Sequence, residues 1–361
     1  MLEVYGSKIS YFTGKLEAYL RYRGIEYQRI PSVLHAREII QNTGAMQMPV
    51  VKLDDGRWLS DTTPIFKFLE SAFPGPQVIP TNPLHRFVSL LIEDYADEWL
   101  WRPAMHFRWS YRHDRELLSS IIVDELMGHI WLPRTVKRLI VQRRQRNAFV
   151  TGDGVSNITW GHVERTYRKS LSLLEAIFSQ RPFVLGRAPT LADIALMGPM
   201  LRHFGQDPTP VEIMRNDAPG VYDWITRVWN AKEGNTSEEF AEGIPADLNP
   251  LLQEICETHL AHLDLNADAY GQGKTRFNGV IQGQIYTALS VSRYRVWCLE
   301  SLQVAYRELD AGDREIIGGV LDQASVQLLS TARKHPSEYD VNETAPFNRA
   351  INVYGHGVPV K

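Results

Sequence analysis

The sequence predicts an α+β chain: a short alternating unit of strands and helices, then a long and mainly helical remainder. Three observations predict it. Residues 2–73 switch between strand and helix signals every few residues, four prolines break residues 74–83, and most of the chain beyond them has helical periodicity. With 361 residues the chain exceeds one compact core and divides into two or three domains of ordinary size.

The alternating unit reads βαβαββα. "LEVY" is a brief β-type run, and residues 15–22 put Leu16, Tyr19 and Leu20 on one helical face before Gly24 ends the helix. "IEYQRI" is a second strand, "LHAREII" a short helix, "PVVKL" a third strand, Asp55 and Gly56 a hairpin turn, and "RWLS" a fourth strand. A last helix begins near Thr63, with Pro64 at its first position and Ile65, Phe66, Phe68 and Leu69 turned inward. Pro74, Pro76, Pro80 and Pro83 then mark an extended linker. The expected domains are 1–75, an all-helical 84–230, and a mainly helical extension over 231–361. Within the extension "TRFNGVIQGQIYTA" reads as a hairpin, and Tyr294, Cys298, Leu302 and Ala305 share one helical face.

Composition excludes several classes. Hydrophobic residues make up 44% and charged residues 22%, as in an ordinary globular protein. A net charge of −3 gives no global attraction to nucleic acid or a membrane, so neither partner is expected. The two cysteines, Cys256 and Cys298, form neither a disulfide framework nor a CxxC pair, which suits a reducing cytosol. The N-terminus lacks a signal-peptide pattern and no 18-residue apolar run occurs, so a soluble cytoplasmic protein is expected.

Three motifs carry more. "MQMPVV" sets Pro49 directly before the third strand. "SDTTPI" comes next with Asp61, Thr62 and Ile65, where a hydroxyl and the free N–H groups of a helix start can hold a carboxylate and an acid can pair with an ammonium. Thr62 or Thr63 is at the same time an ordinary N-cap, worth about 1 kcal/mol. "VLGRAPTLADIALMGPM" contains Gly186, Thr190 and Asp193, and Thr190 with Asp193 forms a capping box that opens an apolar helix.

Taken together, these motifs resemble the glutathione transferases over roughly residues 1–230. The resemblance implies a thioredoxin-like N-terminal domain, an all-helical second domain, glutathione as cofactor and a homodimer. It implies a cis-proline at Pro49 that leaves Val50 free to pair with the ligand backbone, with Gln47 and Met48 beside it. It also implies that Asp61 and Thr62 receive the γ-glutamyl end. The remaining residues are similar to the C-terminal extension of some longer bacterial members, through "YRVWCLESLQVAY", and no chemistry is assigned to them.

The activity so implied is delivery of the glutathione thiolate to a small electrophile, with a hydroxyl at the start of the first helix lowering the thiol pKa. Counting back from Lys15 puts Ser10 in the donor position; Tyr11 replaces the proline usual there, which keeps Tyr11 and Thr13 as alternative donors. With no cysteine between Ser10 and Lys15, disulfide-exchange chemistry lacks its nucleophile. A non-catalytic binding protein on the same fold, or a dedicated glutathione-dependent isomerase or ether-cleaving enzyme, are the other readings.

Two further stretches stand out. Tyr95, Trp99, Arg102, His106 and Trp109 form one helical stripe interrupted by Pro103; it reads first as core or dimer contact, and otherwise as an aromatic and basic wall for an aromatic or acidic electrophile. "RTVKRLIVQRRQRN" carries six basic residues and no acid, has no aromatic residue for base stacking, and reads as a solvated helix face. His259 and His262 lack a third ligand, so no metal is expected.

Overall fold

A computed structural model of the chain describes residues 1–236, 239–332 and 334–339. The N-terminal unit comprises β1 (Leu2–Gly6), α1 (Tyr11–Tyr22), β2 (Tyr27–Pro31), α2 (Ala36–Thr43), β3 (Val50–Lys52), β4 (Trp58–Ser60) and α3 (Thr62–Ala72). Its sheet has the order β2-β1-β3-β4, parallel at β1–β2 and antiparallel at the other two pairings. Gly24, at a positive φ of 67°, ends α1 as the sequence predicts. Helix α1 starts earlier than its apolar pattern, at Tyr11, because Ser10 caps it by accepting from the Thr13 N–H. In α3 the cap is Asp61 rather than a threonine, so Pro64 is the third helical residue and not the first; its missing N–H is still among the four that no helix satisfies.

Next in the chain come helices α4 (Pro83–Asp94), α5 (Trp101–Ser110), α6 (Arg112–Leu126), α7 (Arg134–Gln145), α8 (Trp160–Phe178), α9 (Leu191–Pro199), α10 (Pro208–Asp217) and α11 (Pro219–Trp229). A π-helical turn, Tyr95–Trp99, joins α4 to α5, and another, Arg146–Val150, continues α7. The capping box at the start of α9 is present, and buried Asp193 also accepts from the Val184 N–H and the Trp224 indole. The C-terminal part adds α12 (Asn249–Ile255), α13 (Ala261–Gly271), the hairpin β5 (Arg276–Ile281) and β6 (Gln284–Ser290), α14 (Arg293–Arg307), α15 (Ala311–Val320) and α16 (Gln323–Ser330). Gln282 and Gly283 turn the hairpin with positive φ at both positions, the geometry of a two-residue turn that matches strand twist.

One apolar cluster runs through all three regions, from Leu2 to Leu329. Helix α14 packs on α4, and the β5–β6 hairpin reaches α5 through Arg102. That guanidinium stacks over Trp99 and Tyr286, 4.4 and 4.9 Å from their ring centres, and donates to the Asp153 carbonyl. The Tyr95–Trp109 stripe is thus core: all five members are buried, and none lines the cavity that opens beside the start of α1.

Candidate functional site

The loop before α1 is held from outside its own unit. The Ser7 hydroxyl donates to Glu125 at the end of α6, and Arg108 of α5 donates to the Ile9 carbonyl while paired with buried Asp207 at 2.7 Å. Fixing Ile9 fixes Ser10, the N-cap of α1. One turn further, Lys15 is fully buried between Glu93 and Asp97, at 2.7 and 2.5 Å. Burial alone would lower its pKa, but the two carboxylates outweigh burial and keep it charged.

A cavity of about 260 Å³ opens beside this helix start. Gln47, Met48, Pro49, Asp61 and Thr62 line it from the sheet side, Asp97, Glu98 and Trp101 from the α4–α5 junction, Phe149 from the end of α7, and Tyr294, Arg295 and Tyr339 from the C-terminal part. Phe12 of α1 lies in its wall, its ring stacked on Trp101 at 5.7 Å. A smaller space of about 40 Å³ shares Asp97 and Tyr294 and runs behind them toward Cys298.

The Met48–Pro49 peptide is cis. Asp61 has a positive φ of 72°, a conformation that non-glycine residues rarely adopt and that clusters where function demands it. Burial raises its carboxyl to about pKa 6, against the Tyr294 hydroxyl, the Lys15 charge and the Thr63 N–H, which favour the anion. Burial likewise raises Asp97 and Glu98, although Arg295 pairs with Glu98 at 2.9 Å. Asp97 gives one oxygen to Lys15, and its buried Oδ1 has no partner among the described residues. The chemistry on offer is the carboxyl groups of Asp61 and Asp97, able to receive an ammonium while Glu98 is paired with Arg295, the Thr62 hydroxyl at the start of α3, able to donate to a carboxylate, and an aromatic wall.

Of the residues anticipated from sequence, Gln47, Met48, Pro49, Asp61 and Thr62 come together here and Ser10, Tyr11 and Val50 do not line the cavity. Ser10 is half-buried, two residues from Phe12. Tyr11 is buried and points away: its ring packs on Gly198 of α9, where a Cβ would sit 2.7 Å from it, and its hydroxyl donates to the Ala96 carbonyl. Thr13 is buried against Gly6. Val50 is fully buried, flanked by Tyr5 of β1 and Ser60 of β4, so its sheet neighbours occupy the edges expected to face a ligand; Met48, ahead of the cis-proline, is the residue in the cavity wall.

Sequence reasoning missed Asp97, Glu98, Trp101, Phe149, Arg295 and Tyr339. The acids of "EDYADEW", Glu93, Asp94, Asp97 and Glu98 among apolar residues, are the signal the sequence offers for two of them; Tyr294 lies in a stretch whose spacing predicts an apolar helical face.

Residues 4–77 match the family model of the glutathione S-transferase N-terminal domain, and residues 161–231 match that of the C-terminal domain. Among solved structures, a beta-etherase from Sphingobium sp. strain SYK-6 is 19% identical, with 63% of this chain and 94% of that one covered and a TM-score of 0.44. A glutathione S-transferase from Rhodospirillum rubrum F11 is 14% identical, with 70% and 92% covered and a TM-score of 0.40. One from Methylobacillus flagellatus, crystallised with glutathione, is 16% identical, with 64% and 100% covered and a TM-score of 0.40. No curated protein matches the sequence.

Proposed function

Because the chain belongs to the glutathione S-transferase superfamily, we propose that its cavity binds glutathione and that the protein delivers the glutathione thiolate to a small electrophile. The observation that supports this reading is convergence. A cis-proline, a strained acidic helix cap and the start of α3 meet in one cavity next to the N-terminal end of α1. Met48 would pair with the cysteinyl backbone, Asp61 with the unpartnered Asp97 Oδ1 would hold the α-ammonium, Thr62 the γ-glutamyl carboxylate, and Gln47 the glycyl end. The buried free thiols of Cys256 and Cys298 suit a reducing, cytoplasmic setting.

Ser10 is the thiol-activating group in this reading. Its oxygen accepts from the Thr13 N–H, which leaves its own proton to give, and it stands at the positive end of α1. Lowering a thiol by about two pKa units requires about 2.7 kcal/mol, within reach of one charge-assisted hydrogen bond of about 1.5–3 kcal/mol plus the helix dipole. Thiolate absorbance of bound glutathione against pH tests it: Ser10→Ala is expected to raise the thiol pKa by about 1–2 units, and Tyr11→Phe to leave it unchanged. An unmoved titration in Ser10→Ala sinks the assignment.

A second reading, a binding protein that holds glutathione without activating it, is favoured by one feature. Ser10 does not line the cavity while Asp97 and Glu98 do, and a carboxylate wall disfavours a thiolate. In that case the bound thiol titrates at about 8.5 or above in every variant.

A further inference from the structure

Helix α7 carries an apolar stripe that the fold leaves uncovered. Val136, Leu139 and Ile140 are spaced three and four residues apart and so share one face; Leu139 is 65% exposed, and the opposite face buries Lys137 and Val141. The loop entering the helix adds Leu132 and Trp131, the latter 98% exposed. With Leu117 of α6, six of the sixteen exposed large apolar side chains among the described residues fall within residues 117–140. Single exposed apolar residues need no explanation, but a continuous row does.

Charge marks the same pair of packed helices, α6 and α7. Beyond Ile140 the outward face continues through Arg143 and Arg144, followed by Arg146. Residues 111–150 hold eight Lys and Arg against four Asp and Glu, a balance of +4 in a chain of net −3, which leaves −7 for the rest. The four acids are engaged elsewhere: Glu116 with Arg112, Asp124 with Arg134, Glu125 with Ser7, and Asp114 with Thr209. None of them pairs with Arg143, Arg144 or Arg146.

We propose that this face docks on an anionic lipid bilayer, with Trp131, Leu132, Leu139 and Ile140 in the headgroup–acyl boundary and the arginines on the lipid headgroups. An apolar stripe edged by arginine, with a tryptophan at its end, is the pattern of a helix that lies in the interface rather than across it, and no described helix is long and apolar enough to span. A second copy fits the face poorly, because an isologous contact brings the same patch together twice and residues 131–147 hold six basic residues and no acid to pair with them. The docked face also belongs to the cavity's own framework: the chain continues from α7 into Phe149 in the cavity wall, and α6 ends at Glu125, which holds Ser7 beside α1. An apolar electrophile dissolved in the bilayer would therefore meet the protein near the cavity. The local patch departs from the expectation, drawn from net charge, that no membrane partner is present.

Vesicle flotation of the full chain tests the proposal. Binding is expected to vesicles of phosphatidylcholine mixed with phosphatidylglycerol, not to phosphatidylcholine alone, and to weaken as salt is raised. Arg143→Glu combined with Arg144→Glu should lower the partition coefficient by about tenfold or more, and Leu139→Ser combined with Ile140→Ser should lower it at every salt concentration, with far-UV circular dichroism unchanged. Absence of flotation, equal flotation on neutral vesicles, or indifference to both variants overturns it. So does a concentration-dependent dimer, seen by sedimentation equilibrium, that Leu139→Ser with Ile140→Ser dissolves, since a second copy would then be what covers the stripe.

Discussion

The two walls of the cavity are built by different means. The sheet-side wall consists of local backbone devices within sixteen residues of one another, from Gln47 to Thr62: a cis-proline, a positive-φ cap and a helix start. The opposite wall is assembled from Asp97, Glu98, Trp101, Phe149, Tyr294, Arg295 and Tyr339, which only packing brings together. The first wall can be written in a short motif because each device needs only its neighbours in sequence. The second cannot, because Tyr294 reaches Asp61 only when α14 lies on α4 and the Tyr339 ring packs at 5.5 and 5.2 Å against Tyr294 and Trp297.

Lys15 joins the walls, and its removal should give the largest effect. Lys15→Met leaves Glu93 and Asp97 buried without their shared cation, and breaking a buried pair in this way costs about 3–5 kcal/mol. Chemical denaturation should register that loss in full; a loss below about 1 kcal/mol would mean that the carboxylates already carry the charge unaided.

Asp61→Asn probes the sheet-side wall alone. Asparagine keeps a cap oxygen and tolerates the positive φ, so stability should be largely retained while the charge is lost. Glutathione affinity by calorimetry should fall about 10- to 100-fold, as for a lost hydrogen bond to a charged group. The pH profile sharpens this. With the free carboxyl raised to about 6, Asp61 is protonated below that pH and must release its proton before it can pair with an ammonium. Affinity should therefore be level above pH 6 and fall by up to about tenfold per unit below it, and the slope should vanish in Asp61→Asn.

Tyr294→Phe, a probe of the opposite wall, should act least. The hydroxyl favours the Asp61 anion, so its loss should raise the pH at which affinity begins to fall and weaken binding severalfold, the worth of about 1 kcal/mol. If only stability changes, the C-terminal wall is scaffolding and the comparison between walls collapses to packing.

The amphipathic stripes teach the same lesson as the walls. Tyr95 to Trp109 and Val136 to Arg144 both recur at helical spacing, yet the first is buried, with Trp99 and Arg102 against Tyr286 of β6 and His106 against Trp160, and the second faces solvent. Periodicity fixes which side chains share a face, since that is set by 3.6 residues per turn. What covers the face depends on elements distant in the chain, such as Trp160 over His106 and Tyr286 over Arg102.

Sequence alone determined the βαβαββα order, the capping box of Thr190 and Asp193 and the hairpin turn, all features that short-range sterics and hydrogen bonding decide, while the meeting of Pro49, Asp61 and Thr62 at one corner was implied by the family resemblance. Tertiary structure decided the rest. It buried Tyr11 against Gly198 with its hydroxyl spent on a backbone carbonyl, closed Val50 into the sheet, and turned Tyr294 from an apolar helix face into the cavity. The direction in which a hydroxyl or an amide points is set by its long-range neighbours, because a buried polar group takes the partner that packing leaves within reach.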